Sequence, residues 1–584
     1  MYEPSLQELQ YECLDASDPE SLRHVNGLFW HELLQPKMVA SAIKILDDKQ
    51  RGDKEEEVFS RILEDPEQFI AQVKNAPEII ANLNSGLTRF GDSITVLSAL
   101  CLLYSTCVFP SHVLTLQNGF IVDETSSKNL YEKALTPDNP YLTFLQKHCF
   151  PLISQNKADI AWIHGPICIS TFAMAMKARK INPDIKIFVT EHSSEYYSLL
   201  KITEYLKTNR QLFKVIDGIV LDMFDETAQS VRSALSAGQP LSTVNNLLYI
   251  DRNTDNIQQT PFTKNRHLVF KKQLDIRPRS FPVGTPDVID PSELVNAKLF
   301  PEKICPWRKC SFCGINARYA VSPDEYWTGD SMKTKIEVIE SLAQEGRRYW
   351  WFNDEAVLPE DLLDFAHGIL ERGIEIKFAA RSRFENNTDI DKHACVQWNK
   401  ETCRVLKSAG LRDIRLGLES GCPRVLKIMN KFPAEFALSE AEEIIKNFVE
   451  AGVAVHTPII FGVGNESDSD REQTVAFLEK QCRLHGEMFS FNVNIFHLDI
   501  ASDFYRHPDR FGLAGIKLPS PDEYLLSNTA LRWKVDGEWI DMDALKSKQI
   551  RVMTDLLFGG HDNGFVLPQI WYRLYENNRR SLVI

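Results

Sequence analysis

Three cysteines lie close together in the run Cys305-Pro-Trp-Arg-Lys-Cys310-Ser-Phe-Cys313. Three thiolates at this spacing can bind three irons of a [4Fe–4S] cluster and leave the fourth iron open to a small chelating ligand. If that ligand is S-adenosylmethionine (SAM), an electron from the cluster breaks a C–S bond and makes a radical. The protein's part is then to position and shield the cofactor.

Zinc is the alternative for these thiols. Structural zinc usually takes four ligands in paired Cys-x2-4-Cys knuckles, and no second knuckle follows Cys313. The other nine of the 12 cysteines are scattered singly, and we interpret most of them as small core residues. The spacing therefore favours the iron–sulfur cluster over zinc.

The length, composition and net charge of the chain limit the classes of protein to which it can belong. The chain has 584 residues, a net charge of −14 and 43% hydrophobic residues, which is enough for several globular domains. The negative charge argues against a general binder of nucleic acid or of anionic membranes. The N-terminus lacks a signal-peptide pattern, and the apolar run Ser93–Phe109 is interpreted as a buried helix. These features predict a cytoplasmic protein with no nucleic-acid or membrane partner.

The hydrophobic pattern divides the chain into five regions. They are a helical region (1–110), a doubly wound domain (111–237), an extended linker (238–295), a longer βα domain (296–514) and a C-terminal cap (515–584). In the doubly wound domain, strands alternate with helices, which predicts a parallel sheet that binds ligands at the carboxyl ends of its strands. Its predicted strands are 112–116, 159–164, 185–189 and 218–221.

The region 296–514 predicts six βα units, with the cysteine motif directly after the first strand. This arrangement suggests a partial (β/α)6 barrel, whose chemistry would lie at the carboxyl ends of the strands. The predicted strands are 299–304, 349–352, 374–378, 414–418, 453–461 and 490–495. The predicted fold class is thus α/β, with a Rossmann-like domain ahead of a partial barrel.

Further motifs follow the predicted barrel strands in order. They are Trp350-Trp-Phe-Asn-Asp354-Glu355, Ala379-Ala-Arg-Ser-Arg383, Leu416-Gly-Leu-Glu419-Ser420-Gly421 and Ile459-Ile460-Phe-Gly462-Val-Gly464-Asn-Glu466. With the cysteine motif, they make residues 111–515 resemble radical SAM enzymes, and among these the subgroup with an N-terminal cobalamin-binding-like domain. One departure is that four residues separate Cys305 from Cys310, where the family has three.

The resemblance implies roles for individual residues. Cys305, Cys310 and Cys313 would be the cluster ligands and the catalytic residues. Phe312 is the aromatic residue that the family places before the last cysteine. Asp354 and Glu355 would hold the methionyl ammonium, with Arg383 near its carboxylate. The side of the site that faces the nucleoside would comprise Glu419, Ser420, Ile460, Gly462 and Glu466.

In the Rossmann-like domain, the resemblance points to the carboxyl ends of the strands. These ends carry His164, Gly165, Thr190, Glu191, His192 and Asp222. The family has a Gly-Gly pair after the third strand, where this chain has Thr190-Glu191-His192, and the Asp-x-His-x-x-Gly motif is absent. Because glycines permit close backbone approach, two interpretations stay open: bound cobalamin, or a degenerate domain kept as a scaffold.

The implied function is that of a radical SAM [4Fe–4S] enzyme. It would cleave SAM to a 5′-deoxyadenosyl radical and modify an unactivated carbon of a peptide or small-molecule natural product, with C-methylation if cobalamin is bound. An external flavodoxin- or ferredoxin-like donor would supply electrons. The radical must be kept from water. The wall that excludes water would be formed by Trp350, Trp351 and Phe352. At least one of these three residues would instead belong to the hydrophobic core. The alternatives are a cobalamin-independent oxidation, cyclisation or rearrangement, and a non-catalytic electron-transfer or scaffold protein.

Overall fold

The computed structural model describes most of the chain after residue 111. The described ranges are 112–115, 119–122, 127–136, 139, 141–142, 145–155, 159–164, 169–190, 206–221, 225–263, 266–274, 294–303, 305–314, 327–384, 398–500, 502–518 and 532–541, with isolated positions at 40, 44, 544–545, 548–549 and 552. The predicted helical region 1–110 therefore lies outside the described residues, except for positions 40 and 44, which are helical.

The described residues form two compact units, one up to residue 263 and one from residue 266 onward. The first unit contains a five-stranded sheet with the order β3-β4-β5-β6-β7. The strands of the first unit are β1 (His112–Thr115), β2 (Gly119–Val122), β3 (Ile160–His164), β4 (Lys186–Thr190), β5 (Gly218–Val220), β6 (Leu247–Asp251) and β7 (Asn256–Gln259). Its helices are α1 (Ser127–Lys133), α2 (Phe150–Gln155), α3 (Ile169–Ile181), α4 (Leu212–Val215) and α5 (Asp225–Ser236).

Strands β3, β4 and β5 are parallel, as the alternation of strands and helices predicted. The first predicted strand does not join this parallel sheet among the described residues: β1 pairs with β2 in an antiparallel hairpin. The predicted linker, 238–295, contains two strands of this sheet. Strands β6 and β7 extend the sheet antiparallel to β5, since the residues Leu247–Ile250 are apolar enough to be buried there.

The second unit is built on six strands that are all parallel, in the order β15-β14-β13-β12-β11-β9. This open parallel sheet confirms the predicted partial barrel. Its strands are β9 (Leu294–Ala297), β11 (Tyr349–Phe352), β12 (Lys377–Ser382), β13 (Leu411–Leu416), β14 (Ala454–Phe461) and β15 (Phe489–Ile495). A separate parallel pair joins β8 (Arg266–Leu268) to β10 (Trp327–Gly329).

Helices connect the strands of the six-stranded sheet. They are α6 (Met332–Gln344), α7 (Pro359–Glu371), α8 (Lys400–Ser408), α9 (Pro423–Ile428), α10 (Leu438–Glu450), α11 (Asp468–His485) and α12 (Asp503–Arg506). Side chains at the starts of α6 and α8 cap free backbone N–H groups, with Ser331 accepting from Thr334 and Asn399 accepting from Thr402. Short 3₁₀ or π segments occur at Leu145–Cys149, Leu241–Thr243, Phe270–Gln273, Gly486–Met488 and Pro508–Phe511.

The main hydrophobic core lies between the six-stranded sheet and these helices. Phe352, Phe365 and Phe378 form an edge-to-face cluster with ring centroids 5.2–5.8 Å apart, a geometry that aromatic quadrupoles favour. Trp350 belongs to the same core. Gly410 lets the chain turn tightly from α8 into β13, since its φ is +115° and a Cβ there would lie 2.1 Å from the Ile376 carbonyl oxygen.

The first barrel strand lies earlier than predicted, at 294–297 rather than 299–304. Leu299 and Phe300 are buried, but their backbone N–H groups bond to a side chain and not to a neighbouring strand. The cap includes a three-stranded antiparallel sheet of β16 (Leu513–Lys517), β17 (Arg532–Val535) and β18 (Glu538–Trp539). No helix among the described residues is long and apolar enough to cross a bilayer, and the run Ser93–Phe109 lies outside them.

Candidate active site

The three cysteines lie on the loop that follows β9 at the carboxyl end of the six-stranded sheet. Cys305, Cys310 and Cys313 are half-buried, and none forms a disulfide. The Cys313 N–H donates to the Cys310 carbonyl at 3.2 Å, which closes a tight turn between the last two thiols. Within the described ranges, no three His, Cys, Asp or Glu side chains surround a common point that could hold a single ion. In a [4Fe–4S] cluster each thiolate binds a different iron.

The cysteine loop is held against the turn that follows α9. Trp307 Nε1 donates to the Asn430 carbonyl at 2.7 Å, and Asn430 Nδ2 donates back to the Lys309 carbonyl at 2.8 Å. The Ser311 N–H donates to the Met429 carbonyl at 2.8 Å. These hydrogen bonds join residues more than 100 positions apart in sequence, so the cysteine geometry depends on the whole βα domain.

Arg383, directly after β12, reaches the cysteine loop. It is buried, and its Nη1 lies 3.9 Å from Cys310 Sγ while Nη2 donates to the Lys431 carbonyl. Its guanidinium also lies over the rings of Trp307 and Phe432, at 5.4 and 5.7 Å. Cation–π contacts of this kind hold a buried guanidinium in place.

Burial and the nearby cations act in opposite directions on the pKa of the Cys310 thiol. Burial raises the pKa of its thiol above the ordinary value, and the nearby Lys431 and Arg383 charges oppose that rise. Cys305 adds to the rise. Since a thiolate is the form that binds metal, the two cations favour the ligand form of Cys310.

Asp354 forms hydrogen bonds to the backbone that leads into the cysteine loop. Its two carboxylate oxygens accept the Leu299 and Phe300 N–H groups at 2.9 and 2.7 Å, so the side chain ties β11 to the start of the cysteine loop. Burial raises the pKa of this carboxyl above its usual range, opposed by those hydrogen bonds and by Lys298 and Lys335. Asp354 is therefore a positioning residue for the cysteine loop.

Two ion pairs flank the cysteine loop. Glu355 lies 3.7 Å from Lys298. Glu419 accepts from Lys431 Nζ at 3.1 Å, and both side chains are buried. Glu419 also has a positive φ of 72°, which is uncommon for a residue other than glycine. Strain of this kind often marks functional sites.

Two further predicted residues, Ser420 after β13 and Ile460 in β14, contact other parts of the protein. The Ser420 hydroxyl pairs with Thr474 Oγ1 at 3.1 Å and accepts the Cys422 N–H at 3.1 Å, so its bonds hold α11 to the loop after β13. Ile460 and Phe312 are partly buried and pack against the same small apolar cluster. Phe312, the aromatic residue of the cysteine motif, therefore borders the same cluster as Ile460 near the end of β14.

Gly462 and Glu466 form a compact turn after β14. Gly462 has a φ of +84°, and its N–H donates to Glu466 Oε2. Arg471 Nη1 lies 3.3 Å from the same oxygen, while Glu466 Oε1 is buried without a hydrogen-bond partner among the described residues. Burial raises the pKa of Glu466 to about 7.

The predicted cobalamin-side residues are only partly described. His164 and Thr190 end the neighbouring strands β3 and β4, and their Cα atoms are paired in the strand register. Gly165, Glu191, His192 and Asp222 lie outside the described residues.

Sequence reasoning missed the supporting residues. Lys431, Asn430 and Trp307 were given no role, although Lys431 pairs with Glu419 and the other two hold the cysteine loop. The available signal was the polar Asn430-Lys431 pair shortly after helix α9.

Residues 301–478 match the model of the Radical SAM superfamily. The matched range contains the three cysteines and the strand ends around them. Residues 301–478 of this chain are therefore a radical SAM domain. The iron–sulfur interpretation of the cysteine motif is thereby confirmed over zinc at the level of the family, and the chain is a radical SAM enzyme.

Two curated relatives are similar to this radical SAM chain. An uncharacterized methyltransferase of Pyrococcus horikoshii is 23% identical over 347 residues, covering 55% of this chain and 70% of that protein. The anaerobic magnesium-protoporphyrin IX monomethyl ester cyclase of Cereibacter sphaeroides is 26% identical over 174 residues, covering 29% of this chain and 26% of the cyclase.

Solved radical SAM structures are similar at low identity. The methyltransferase TsrM from Kitasatospora setae, solved with cobalamin and a [4Fe–4S] cluster, is 14% identical with a TM-score of 0.43, over 65% of this chain and 73% of TsrM. The cobalamin-dependent enzyme OxsB, solved with aqua-cobalamin and SAM, is 12% identical with a TM-score of 0.48, over 78% of this chain and 68% of OxsB. At these TM-scores neither structure defines the chemistry of this chain.

Proposed function

We propose that this radical SAM enzyme cleaves SAM reductively and methylates an unactivated carbon of a peptide or small-molecule natural product, with cobalamin bound by its first unit. The observation that carries the proposal is the contact of Arg383 with Cys310 at 3.9 Å, beside the buried Lys431–Glu419 pair, inside the range that matches the superfamily.

The donor set fits an iron–sulfur cluster. Cys305, Cys310 and Cys313 are half-buried and unbridged, and two cations stand beside Cys310. These thiolates would hold three irons and leave one for a chelating ligand. When bound, the cluster supplies the electron that cleaves SAM to the 5′-deoxyadenosyl radical.

The residues around the cysteine loop bind and orient SAM in this proposal. Glu355, paired with Lys298, offers a carboxylate to the methionyl ammonium. Arg383 offers a guanidinium to the methionyl carboxylate. Glu419 and the turn at Gly462 hold the nucleoside, and Asp354 keeps the loop in register through its two backbone contacts.

Cobalamin is proposed for the carboxyl ends of β3 and β4, where ligands of parallel sheets bind. Support comes from the three parallel strands of the first unit and from the methyltransferase name of the Pyrococcus relative. The reaction is placed in the cytoplasm, with a flavodoxin- or ferredoxin-like protein as the electron donor.

A second candidate is a radical ring closure without methyl transfer. It is favoured by the similarity to the Cereibacter cyclase over 174 residues. The corrin content of the purified protein separates the two candidates, because methyl transfer through cobalamin requires a bound corrin.

The test is anaerobic purification, reconstitution with iron and sulfide, and incubation with SAM and dithionite. We expect 5′-deoxyadenosine from the wild type and none from Cys310→Ala. The matched control is Cys403→Ala, which removes a buried thiol in the helical core of the same unit and should keep both iron and activity.

The radical SAM mechanism is rejected if the wild type carries a full cluster and produces no 5′-deoxyadenosine. The absorption spectrum of the same sample reports bound corrin. A sample that cleaves SAM but retains no corrin after supplementation with hydroxocobalamin favours the ring-closing candidate.

A further inference from the structure

The small antiparallel sheet of the cap has one face on the core and one face toward solvent. It consists of β16, β17 and β18, and side chains alternate between the two faces of each strand. Trp533, in the middle of β17, is buried, whereas its neighbours Arg532 and Lys534 are exposed and half-buried. The two cations of β17 therefore lie on the face away from the core.

The strand register places two further residues on this outer face. Directly paired residues of antiparallel strands lie on the same side of a sheet. Lys517 of β16 is paired with Arg532, and Trp539 of β18 is paired with Lys534. We call the surface formed by Lys517, Arg532, Lys534 and Trp539 the basic face.

The three cations of the basic face surround the Trp539 ring. Lys517 Nζ lies 5.0 Å, the Arg532 guanidinium carbon 4.8 Å and Lys534 Nζ 5.2 Å from the ring centre. Cation–π contacts of this kind hold long side chains in a defined arrangement. Because all three charges lie around one point, any two of them are within about 10 Å, the Debye length at 0.1 M salt, and their fields add.

The carboxylates of the same hairpin lie away from the basic face. Glu538 is paired in register with Val535, which places it on the other face of the sheet. Asp536 lies in the turn between β17 and β18, where its N–H donates to the Gly512 carbonyl at 3.0 Å. The whole chain has a net charge of −14, so the basic face is a local exception to an acidic protein.

The inner face of this sheet packs toward the cysteine motif. The Trp533 ring lies 5.7 Å from Phe496, which lies 5.3 Å from Phe504. Phe312 packs against the same apolar cluster, and the Phe504 N–H donates to the Ser311 carbonyl at 3.0 Å. The basic face is thus the outer side of a sheet whose inner side contacts the cysteine motif through one apolar cluster.

We propose that the basic face is the docking surface for the electron donor, a small acidic electron-transfer protein. This inference rests on the proposed function, which needs an electron from outside the chain, and it names the place where the donor binds. Carboxylates of the donor pair with Lys517, Arg532 and Lys534, and Trp539 provides the apolar contact at their centre. Redox partners bind through small interfaces, below about 1,200 Å², which suits a sheet of three short strands.

Docking at this face brings the donor to the side of the protein that holds the cysteine motif. One electron leaves the reduced donor, which is oxidised, and enters the cluster bound by the cysteine loop, which is reduced. No proton or chemical group is transferred in this step. Opposite charges on the two proteins steer the encounter and raise its rate, and they make the rate depend on salt.

Nucleic acid is the other polyanion that cations around a tryptophan can bind. A long polyanion would also meet the rest of this surface, where the net charge of −14 repels it. A small protein covers the basic face and little else. The charge distribution therefore favours a protein partner, and an oligonucleotide serves as a competitor in the test.

Biolayer interferometry on the anaerobically reconstituted full chain tests the docking surface. The immobilised probes are an acidic flavodoxin and an acidic ferredoxin, and each Kd is measured at low and at high salt. We expect the wild type to bind at least one of them and to lose affinity as salt rises. Lys517→Gln, Arg532→Gln and Lys534→Gln should each weaken binding about two- to fivefold, and the triple variant about tenfold or more, because each removes one exposed charge pair.

Lys480→Gln is the matched control, since Lys480 is an exposed cation of the same unit that pairs with Glu442; it should bind the probes like the wild type. Arg532→Lys keeps the charge and should also bind normally. If the triple variant does not fold, the three single variants carry the test.

The docking surface is overturned if neither probe binds, or if the folded variants bind like the wild type. It is also overturned if Lys480→Gln weakens binding as much as Lys534→Gln does. Tighter binding of a single-stranded oligonucleotide or of polyglutamate than of both probes would overturn it as well, because the basic face would then recognise a different class of anion.

The yield of 5′-deoxyadenosine separates this inference from the proposed function. Dithionite reduces the cluster without docking, so the ratio of donor-driven to dithionite-driven product should fall in the triple variant. An unchanged ratio would contradict the docking surface. Binding of the probes without product from dithionite would reject the function and leave the docking surface standing, and product from dithionite without binding would do the opposite.

Discussion

Each sheet of this chain has buried charged residues directly beside a strand end, and that end differs between the two sheets. In the five-stranded sheet, the buried carboxylate of Asp217 stands immediately before β5, at its amino end. In the six-stranded sheet, Asp354, Arg383 and Glu419 follow the carboxyl ends of β11, β12 and β13. Ligands of parallel sheets bind outside the carboxyl ends, so we expect the buried charges at that end to bind ligands or to position the site, and the buried charge at the amino end to stabilise the fold.

The partners of these charges support that distinction. Asp217 pairs with Arg179 at 2.7 Å and with Arg252 at 3.2 Å, and it accepts the Ile187 N–H at 2.8 Å. These contacts join α3, β4 and the chain after β6 into one unit. Arg383 instead contacts a cysteine thiol. Three predictions test the contrast, beginning with the largest expected effect.

Arg383→Gln should have the largest effect. It removes a buried guanidinium that contacts Cys310 and the Lys431 carbonyl, and loss of a partner that supports a metal ligand typically costs about 10–100-fold in metal affinity or activity. Iron content and 5′-deoxyadenosine yield after reconstitution measure the change. Arg372→Gln, on the surface of the same unit, is the control. Normal iron and activity in Arg383→Gln would remove the functional assignment of this strand end.

Glu466→Gln should change the pH dependence of stability. The pKa of Glu466 is raised from 4.5 to about 7 by burial, so between these pH values the native state keeps a proton that the unfolded chain has lost. Stability therefore falls as pH rises through this window, by up to about 3 kcal/mol, and is level above it. Urea unfolding of the second unit at a series of pH values should show this fall in the wild type and a flatter profile in the variant.

Glu450→Gln is the control for that measurement, because Glu450 is an exposed carboxylate whose pKa is lowered by Lys400. Its profile should follow the wild type in the same window. Identical slopes for wild type and Glu466→Gln would contradict the assignment of a buried, proton-retaining carboxyl at the turn after β14.

Asp217→Asn should have the smallest effect on chemistry. Its two arginine partners are partly exposed, so solvent screening reduces the loss in unfolding free energy to about 2 kcal/mol. Hydrogen exchange of peptides covering β4 and β5 should accelerate, while iron content and 5′-deoxyadenosine yield stay at wild-type levels. The control is Asp255→Asn, which removes an exposed pair with Arg210 and should leave exchange unchanged. A loss of iron in Asp217→Asn would show that the two sheets do not divide their roles in this way.

Strand and helix positions were largely predictable where hydrophobic periodicity was strong. Strand β11 has its predicted bounds, and β4 lies within one residue of its predicted bounds. The first barrel strand was misplaced because Leu299 and Phe300 look like strand residues by burial alone. Their N–H groups are in fact satisfied by Asp354. No local pattern reveals a partner 55 residues away.

For the candidate site, the sequence indicated candidate ligands better than it indicated the residues that support them. The cysteine motif and Arg383 could be identified because spacing and order along the chain carry that information. Asp354 and Ser420 were expected to face the cofactor, yet the hydrogen bonds of both serve the protein's own backbone and neighbouring side chains. A polar residue at a strand end can turn toward a ligand or toward a loop, and sequence does not distinguish the two.

The sequence by itself determined the cysteine spacing, the alternation of strands and helices and hence the parallel six-stranded sheet, because these depend on local periodicity and on residue type. Only the tertiary structure decided which charges meet. Arg381 and Arg415 share the ring of Trp351 through strand register, and the cysteine loop rests on a turn more than 100 residues away. Register and long-range packing set these contacts, since they arise from the pairing of segments that are distant in the chain.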